Sequence, residues 1–326
     1  MRLAAISVDL DSLPHYCRIH GLPEGLLDER ARRLVYSVAL ERYGELFSQL
    51  SAPATYFAIG EDLEDEAAFS ALRAASAAGV EIASHSYHHD YALSRRPEAE
   101  ISTDLRRAHE AIVRAVGKAP VGFRAPGYTL SRELLSAVRK RGYRYDSSVF
   151  PAAPYYLAKA AVMGLLRAAG RPSRAILDSP RVLGAPRRPY FPDETNPYRE
   201  GQGQGLLELP VAVTPGVRFP FIGTFAVSLP RAAVRTFYRQ LRGEPFFNFE
   251  LHAIDVLDAG DGVPPALARH QRDLNVPWAR KMTRLREVFS WLSDDFELVT
   301  LSAAAERLVS RATLGDFRGG SYNPAG

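Results

Sequence analysis

Hydrophobic runs alternate along this chain with longer amphipathic stretches, as strands alternate with helices in α/β folds. The run from Leu3 to Val8 predicts a buried strand that ends at acidic residues, and the stretch from Asp28 to Leu50 predicts the first helix. Other predicted strands are 54–59, 80–83, 121–123, 143–145, 206–209, 246–251 and 296–300, and other predicted helices are 61–78, 97–116, 131–141, 230–241, 278–292 and 302–309. The alternation favours a parallel sheet, either a barrel or an open doubly wound fold.

The rhythm breaks between Phe150 and Gly205, in a stretch rich in Pro, Arg and Tyr. We interpret this stretch as an insertion within a single domain of residues 1–310 and not as a separate domain. Residues 311–326 are rich in glycine and are expected to form a flexible tail.

Composition narrows the class of protein. The 326 residues are 46% hydrophobic and 24% charged, with a net charge of +4, which is ordinary for a globular protein. No dense Lys/Arg block occurs, so nucleic acid is not an expected partner. The only cysteine, Cys17, excludes an internal disulfide and suits a reducing compartment. No apolar run of about 18 residues predicts a membrane span, and the N-terminus lacks a secretory apolar region, so we expect a cytoplasmic location.

Acids, histidines and an arginine follow the predicted strands where each strand ends: Asp9, Asp11, His85, His89, Arg124, Asp146 and His252. The carboxyl ends of parallel strands meet at one edge of the fold, where α/β enzymes place their sites. We therefore expect these side chains to converge.

Two spacings within this set point to a metal. His85 and His89 are four residues apart, and in a helical turn that spacing puts both rings on one face. Two imidazoles and a carboxylate commonly hold zinc or a similar ion, although the spacing also fits two solvated histidines on a loop. Asp9 and Asp11 flank Leu10, so at strand geometry both carboxylates point to one side. One can bind metal while the other acts as a base; the alternative is a solubilising pair of acids in a turn.

Five short motifs occur in order: Ser7-Val8-Asp9-Leu10-Asp11, His85-Ser86-Tyr87-His88-His89, Phe123-Arg124-Ala125-Pro126-Gly127-Tyr128, Tyr145-Asp146-Ser147-Ser148 and Leu251-His252. Together they resemble the motifs of the polysaccharide deacetylase family, also called NodB homology or carbohydrate esterase family 4. The chain departs from the usual pattern in three places. The usual adjacent Asp-Asp-Gly is spread to Asp9-Leu10-Asp11, Gly127 replaces a tyrosine, and Phe150 takes the space of a tryptophan.

The resemblance implies a distorted (β/α) barrel with a divalent metal, most often Zn²⁺, with Co²⁺, Ni²⁺ or Mn²⁺ as alternatives. The implied metal ligands are Asp11, His85 and His89. The other implied roles are Asp9 as general base, His252 as general acid, Arg124 holding Asp9, Asp146 holding Arg124, the backbone N–H near Gly127 stabilising the oxyanion, Tyr128 contacting substrate, and Leu251 lining the pocket for the acyl methyl group.

The implied activity is metal-dependent removal of an N-acyl, chiefly acetyl, group from an amino sugar or a lipid-linked amino sugar. Alternatives are a deformylase of a lipid-linked amino sugar, a cyclic-amide hydrolase, and a carbohydrate-binding protein without catalysis. The joint presence of Asp9, Asp11, His85, His89 and His252 argues against the last.

The insertion bears on the substrate. Residues 155–190 carry seven basic side chains and one acid, Asp178. A basic amphipathic helix can lie on an anionic membrane, so this segment is either a peripheral contact at the inner face of the membrane or a lid on the barrel. Because a cytoplasmic enzyme does not meet cell-wall polymer, a lipid-linked or nucleotide-linked amino sugar is favoured.

Overall fold

Eight strands form one curled, parallel sheet in the computed structural model, which describes residues 2–168, 176–202 and 205–313. They are β1 Leu3–Asp9, β2 Ala54–Ala58, β3 Glu81–Ser84, β4 Gly122–Phe123, β5 Tyr145–Asp146, β6 Leu207–Glu208, β7 Phe246–His252 and β8 Glu297–Val299. The order is β6-β5-β4-β3-β2-β1-β7, and β8 pairs with β1.

Strand β1 lies at the centre of this arrangement. It pairs with β7 along its whole length, while its other edge pairs first with β8 and then, from Ile6 onward, with β2. Between β6 and β7 the backbone N–H of Ala212 donates to the carbonyl oxygen of Asn248 at 3.1 Å, and the Asn248 amide donates to Leu209. The sheet therefore curls into a distorted barrel, which confirms the predicted fold class.

Helices pack around the sheet. They are α1 Leu13–His20, α2 Glu29–Leu34, α3 Leu40–Gln49, α4 Glu66–Ala77, α5 Glu98–Val116, α6 Arg132–Lys140, α7 Ala153–Ala168, α8 Gly223–Ser228, α9 Arg231–Leu241, α10 Pro265–His270, α11 Trp278–Asp295 and α12 Leu301–Thr313. The predicted helix 28–50 is divided, because a π-helical turn at Val35–Ala39 separates α2 from α3. Ser131 caps α6 by accepting from the Leu134 N–H, as expected of its position. Helices α1, α8 and α10 were not predicted, whereas α7 lies where the basic amphipathic pattern of residues 155–190 suggested a helix.

Alternation along two strands decides what faces the barrel interior. In β1, Ala4, Ile6 and Val8 pack toward the surrounding helices, whereas Ser7 and Asp9 point inward. In β7, the inward positions are Asn248, Glu250 and His252, and the outward positions are Phe247, Phe249 and Leu251. Polar groups are thus concentrated at the carboxyl end of the barrel interior.

The inserted stretch packs on the barrel at several points. Helix α7 opens it, and Tyr190 and Tyr198 join a core cluster with residues of α5 and α6. Arg171 and Arg174 lie outside the described residues, as do 314–326; the first three residues of the predicted tail, 311–313, are instead the last of α12. Among the described residues, no helix combines the length and apolar composition needed to cross a membrane.

Candidate metal and catalytic centre

The predicted site residues converge because each lies at, or just after, the carboxyl end of a strand. Asp9 is the last residue of β1 and His252 the last of β7, while His85 and Arg124 directly follow β3 and β4. All four are withdrawn from solvent, with only the His252 side chain partly exposed, at 20%. The chain thus brings groups that are far apart in sequence to one face of the barrel.

Asp11, His85 and His89 form a compact buried group. Oδ1 of Asp11 lies 3.5 Å from Nε2 of His85 and 3.2 Å from Nε2 of His89. Asp11 Oδ1 and His89 Nε2 have no hydrogen-bond partner among the described residues. Buried polar atoms are rarely left unsatisfied, so these converging atoms are the expected signature of a site that takes a cation.

The loop that carries the two histidines is not helical, so the predicted helical turn is wrong. Ser86 and His89 have positive φ values of 68° and 51°, and the Ser86 hydroxyl accepts from the His89 N–H at 3.0 Å. Asp104 accepts from the N–H groups of Tyr87 and His88. These bonds fix a tight loop in which the rings of His85 and His89 lie 4.8 Å apart, so the rings meet by a different backbone path.

The protonation states of this group suit a metal. Nδ1 of His85 lies 2.8 Å from the carbonyl oxygen of Arg124, to which it donates, so Nε2 is the nitrogen left to bind a ligand. Burial alone lowers the pKa of His85, but Asp9 and Asp11 outweigh it and raise the pKa, as expected of a ring that faces two carboxylates. Burial lowers the pKa of His89 well below its usual value, which keeps that ring neutral. For Asp11, burial opposes ionisation, but His89 and His85 outweigh it and lower the pKa, so the side chain is a carboxylate. These residues therefore fit a divalent ion such as Zn²⁺.

Asp9, Glu250 and His252 form a second group of possible ligands. Its residues are already paired with other charged groups, however, because Asp9 Oδ1 accepts from Arg124 at 2.5 Å and His252 Nδ1 lies 2.9 Å from Glu250 Oε1. The guanidinium also repels a cation at Asp9. The first group is therefore the better fit.

Arg124 is wholly buried and holds Asp9 in place. Besides the bond to Asp9, its guanidinium donates to the Ser7 hydroxyl at 2.9 Å and to the Ser147 carbonyl and hydroxyl oxygens. Burial raises the pKa of Asp9, and Arg124 opposes that rise. The free oxygen, Oδ2, faces Tyr128 and His85 at 3.4 Å and 3.8 Å. One carboxylate oxygen is thus anchored while the other faces the cavity.

The predicted contact between Asp146 and Arg124 is wrong. Asp146 accepts from the Ser148 hydroxyl at 2.6 Å and interacts with the buried Glu208 on β6, whereas Arg124 reaches Ser147 instead. The reason is geometric: Ser147 follows the strand at the point where the guanidinium arrives, and Asp146 is directed toward the neighbouring strand. Burial raises the pKa values of both Asp146 and Glu208, as expected of two carboxyl groups that share a dry space.

His252 is paired with a carboxylate that the motifs do not include. Glu250 is fully buried, and apart from the His252 ring neither of its oxygens has a hydrogen-bond partner among the described residues. Burial alone lowers the pKa of His252, but Glu250, with Asp11 and Asp9, outweighs it and raises the pKa well above its usual value. These carboxylates therefore favour the protonated His252 ring, whose Nε2 lies 3.5 Å from the Tyr128 hydroxyl.

The acids that follow His252 stabilise the loop. Asp255 accepts from the His252 backbone N–H and from Thr224, and burial raises its pKa to about 7. Asp258 accepts from the N–H of Gly260 and of Trp278, and Asp261 forms a two-bonded ion pair with Arg42. The Asp255 backbone N–H in turn caps the His252 side chain, so this loop also helps to hold the ring.

A cavity opens above these groups. Asp9, Asp11, His85, Gly127, Tyr128 and His252 line it, together with Phe150 and other aromatic and apolar side chains. Leu251 does not, so that prediction is wrong: it occupies an outward position of β7 and is fully buried in the core. A side chain at Gly127, which has φ of +63°, would press against the Tyr91 ring.

Glu250 and the serines were missed for different reasons. Glu250 had a sequence signal, because an acid two residues before His252 on a strand shares its face. Ser7 and Ser147 lie inside the quoted motifs, but their type alone does not indicate a bond to a buried arginine. Tyr91 and Lys159, which border the cavity, have no motif at all.

Comparison with known proteins finds a related family. A sequence model described as "Polysaccharide deacetylase" matches residues 36–145, which include His85, His89 and Arg124. Asp9, Asp11 and His252 lie outside that range, and the barrel brings them to the same site. Over residues 36–145 the chain therefore resembles the polysaccharide deacetylase family.

Two curated relatives match parts of the chain. A peptidoglycan deacetylase of Helicobacter pylori is 29% identical over 160 residues, which are 48% of this chain and 53% of the relative. The peptidoglycan deacetylase-like protein FGM2 of Gibberella zeae is 35% identical over 81 residues, 24% of each chain. The chain thus spans about half the length of the first and a quarter of the second.

Solved structures agree on the fold. A chain from Mycobacterium smegmatis assigned as a polysaccharide deacetylase has a TM-score of 0.61 at 18% identity, covering 95% of this chain and 91% of its own. An allantoinase has a TM-score of 0.57 at 15% identity, with coverages of 95% and 90%. At such identities the likeness establishes the barrel alone.

Replacement of a ligand should abolish metal binding. We expect the wild-type protein to hold about one zinc ion per chain after dialysis, and Asp11→Ala and His89→Ala to fall to background, because each removes one of three ligands. The matched control is His88→Ala, since His88 lies in the same loop but is 47% exposed. Metal analysis of the purified proteins is the measurement; a His89→Ala protein that keeps its zinc would contradict the assignment.

Proposed function

We propose that this protein is a metal-dependent hydrolase that removes the N-acetyl group of an amino sugar. The observation that carries the proposal is the placement of the Asp11, His85 and His89 group beside Asp9 and His252 on one cavity. An amide hydrolase needs a cation, a base and an acid around one bond, and this cavity offers all three kinds of group.

Asp9 acts as the general base. A divalent ion held by Asp11, His85 and His89 would polarise the amide carbonyl and make water more acidic. Oδ2 of Asp9 then accepts a proton from the attacking water. Arg124 fixes the carboxylate by donating to Oδ1, and the Ser7 hydroxyl accepts from the same guanidinium. Because burial raises the pKa of Asp9, it is a stronger base than an exposed aspartate.

His252 acts as the general acid. An amide nitrogen leaves poorly as an anion, so it must receive a proton as the C–N bond breaks. His252 holds this proton on Nε2, because Glu250 engages Nδ1. The Tyr128 hydroxyl lies 3.4 Å from Asp9 Oδ2 and 3.5 Å from His252 Nε2, so base and acid flank the same point in the cavity. The backbone N–H near Gly127 supplies a donor to the oxyanion.

The relatives support a sugar substrate, since both are named for peptidoglycan deacetylation. The expected cytoplasmic location favours an amino sugar joined to a lipid or a nucleotide over a finished polymer. Tyr155 and Lys159 of α7 line the cavity, which supports the lid interpretation of the insertion.

The outer face of α7 supports a membrane contact as well. Leu157, Val162 and Leu165 are 61%, 55% and 70% exposed, and the helix carries no acid. Arg187 and Arg188, by contrast, are paired with Glu244, so the apolar face must supply most of the affinity for a membrane.

Polar substitution on that face should weaken membrane binding. We expect Leu157→Ser/Leu165→Ser to bind vesicles of phosphatidylglycerol and phosphatidylcholine several-fold less than the wild type, because apolar insertion is lost. The control is Val113→Ser, which changes an exposed apolar residue of α5. Sedimentation with vesicles measures binding; equal binding of all three proteins would contradict the contact at the inner membrane face.

Acetate release tests the activity itself. We expect the zinc-loaded protein to release acetate from N-acetylated amino sugars, and Asp9→Asn to be slower by about 10²–10⁴-fold because it lacks the base. Metal content of the variant serves as the control, since Asp9 is not a ligand. Formate release from N-formyl sugars, or opening of a cyclic amide without acetate release, would favour the alternative hydrolases; normal turnover by Asp9→Asn would remove the assigned base.

The pH dependence tests the Glu250–His252 pair. His252 works as an acid only when protonated, so activity falls as pH rises through its pKa, and the raised pKa extends activity to higher pH. Glu250→Gln lowers that pKa and should shift the alkaline limb of the kcat profile to lower pH. Glu208→Gln, which changes a buried acid away from His252, should leave the limb in place. If the alkaline limb of Glu250→Gln does not shift, the Glu250–His252 pair does not control the general acid.

A further inference from the structure

The catalytic cavity is a small pocket with an almost continuous aromatic wall. Its volume is about 290 Å³. From His252 the wall runs through Tyr128 at 6.5 Å to Phe150 and Tyr155, each ring 5.1 Å from the one before. From His89 it runs to Tyr91 at 5.3 Å. Pockets for drug-sized ligands begin at roughly 300 Å³, so this space suits one sugar ring and not the middle of a polymer.

Lys159 lies between the last rings of these two rows, Tyr91 and Tyr155. Its ammonium lies 6.0 Å from the centre of the Tyr91 ring and 5.8 Å from that of Tyr155, at the outer limit of a cation–π contact. Among the described residues it has no ion pair within 4 Å and no hydrogen bond to a side chain. The Tyr91 ring contacts both Lys159 and the His89 ring, so the ammonium and the metal group share one neighbour.

The charges around Lys159 leave it without a counter-ion. Asp9 is held by Arg124, and Asp11 by the two histidines. Asp178, the one acid of residues 155–190, accepts from the Tyr198 hydroxyl and acts on Lys159 only at longer range. Burial lowers the pKa of Lys159, as expected of an ammonium in a mostly apolar wall. Lys159 is half-buried, and an ammonium withdrawn in part from water without an ion pair among the described residues is costly. An anion in the pocket would relieve that cost.

We propose that Lys159 binds a phosphate group of the substrate, so that the sugar to be deacetylated is a terminal amino sugar carrying a phosphate ester or diphosphate. This inference rests on the proposed function and adds the substrate class. Lys159 is the specificity-determining residue: it reads the phosphate while Asp9 and His252 act on the amide at the other side of the same ring. Sugars joined to nucleotides and to polyprenyl lipids share this chemistry, and the apolar outer face of α7 favours the lipid.

Binding to an inactive protein tests this without turnover. In the Asp9→Asn background, calorimetry with N-acetylglucosamine 1-phosphate and with its methyl glycoside compares a charged with a neutral ligand. We expect the phosphate to bind about 10- to 100-fold more tightly, as for a charge-assisted hydrogen bond. Lys159→Met should remove most of that difference, Lys159→Arg should keep it, and Lys118→Met, on an exposed loop, should not alter it.

Kinetics with the active enzyme then shows whether Lys159 acts on KM or on kcat. Lys159→Met should raise KM for the phosphate far more than for the methyl glycoside, with a smaller change in kcat. UDP-N-acetylglucosamine and a polyprenyl diphosphate sugar distinguish the two sources of phosphate, and N-acetylmuramic acid tests a carboxylate. Equal binding of charged and neutral ligands, or a preference that survives Lys159→Met, would overturn the proposal. Binding that depends on Lys159 without acetate release would instead count against the deacetylase activity alone.

Discussion

A guanidinium without exposed surface lies at the centre of this site, and the remaining geometry depends on how its bonds are satisfied. The Arg124 side chain donates to Asp9, Ser7 and Ser147, and it lies over the Phe57 ring at 4.0 Å. Its carbonyl oxygen accepts from His85. One residue therefore positions the base through its side chain and a metal ligand through its backbone. Because breaking a buried ion pair costs about 3–5 kcal/mol, the alignment of base and metal group is coupled to folding.

The barrel makes this arrangement possible because neighbouring residues along each strand face opposite sides of the sheet. On β1 and β7, every second side chain enters the interior, so the apolar floor formed by Leu3, Ala5 and Phe246 gives way toward the carboxyl end to Ser7, Asp9 and His252. The interior is dry enough to shift pKa values in opposite directions. His89 stays neutral for a metal while Glu250 keeps His252 protonated. In the same buried interior, the two histidines thus have opposite pKa shifts because their charged neighbours differ.

The sequence predicted the elements whose signals are local. Periodicity located the eight strands to within a few residues, and the ends of those strands identified the residues that converge on the cavity. It did not predict contacts that depend on side-chain direction between distant segments. The Arg124 bond to Ser147 in place of Asp146, the non-helical His85–His89 loop and the outward position of Leu251 all belong to this class. Lys159 lies in α7, within the Pro- and Arg-rich stretch, and only the fold brings it to the cavity.

The central claim is that Asp11, His85 and His89 bind the catalytic cation while Asp9 remains free beside Arg124. The most direct test is anomalous diffraction at the zinc edge from crystals of the zinc-loaded protein. The account predicts one peak bonded to Asp11 and to Nε2 of both histidines at about 2.0–2.2 Å. A peak held instead by Asp9, Glu250 and His252 would contradict it, because the base and the acid would then be ligands.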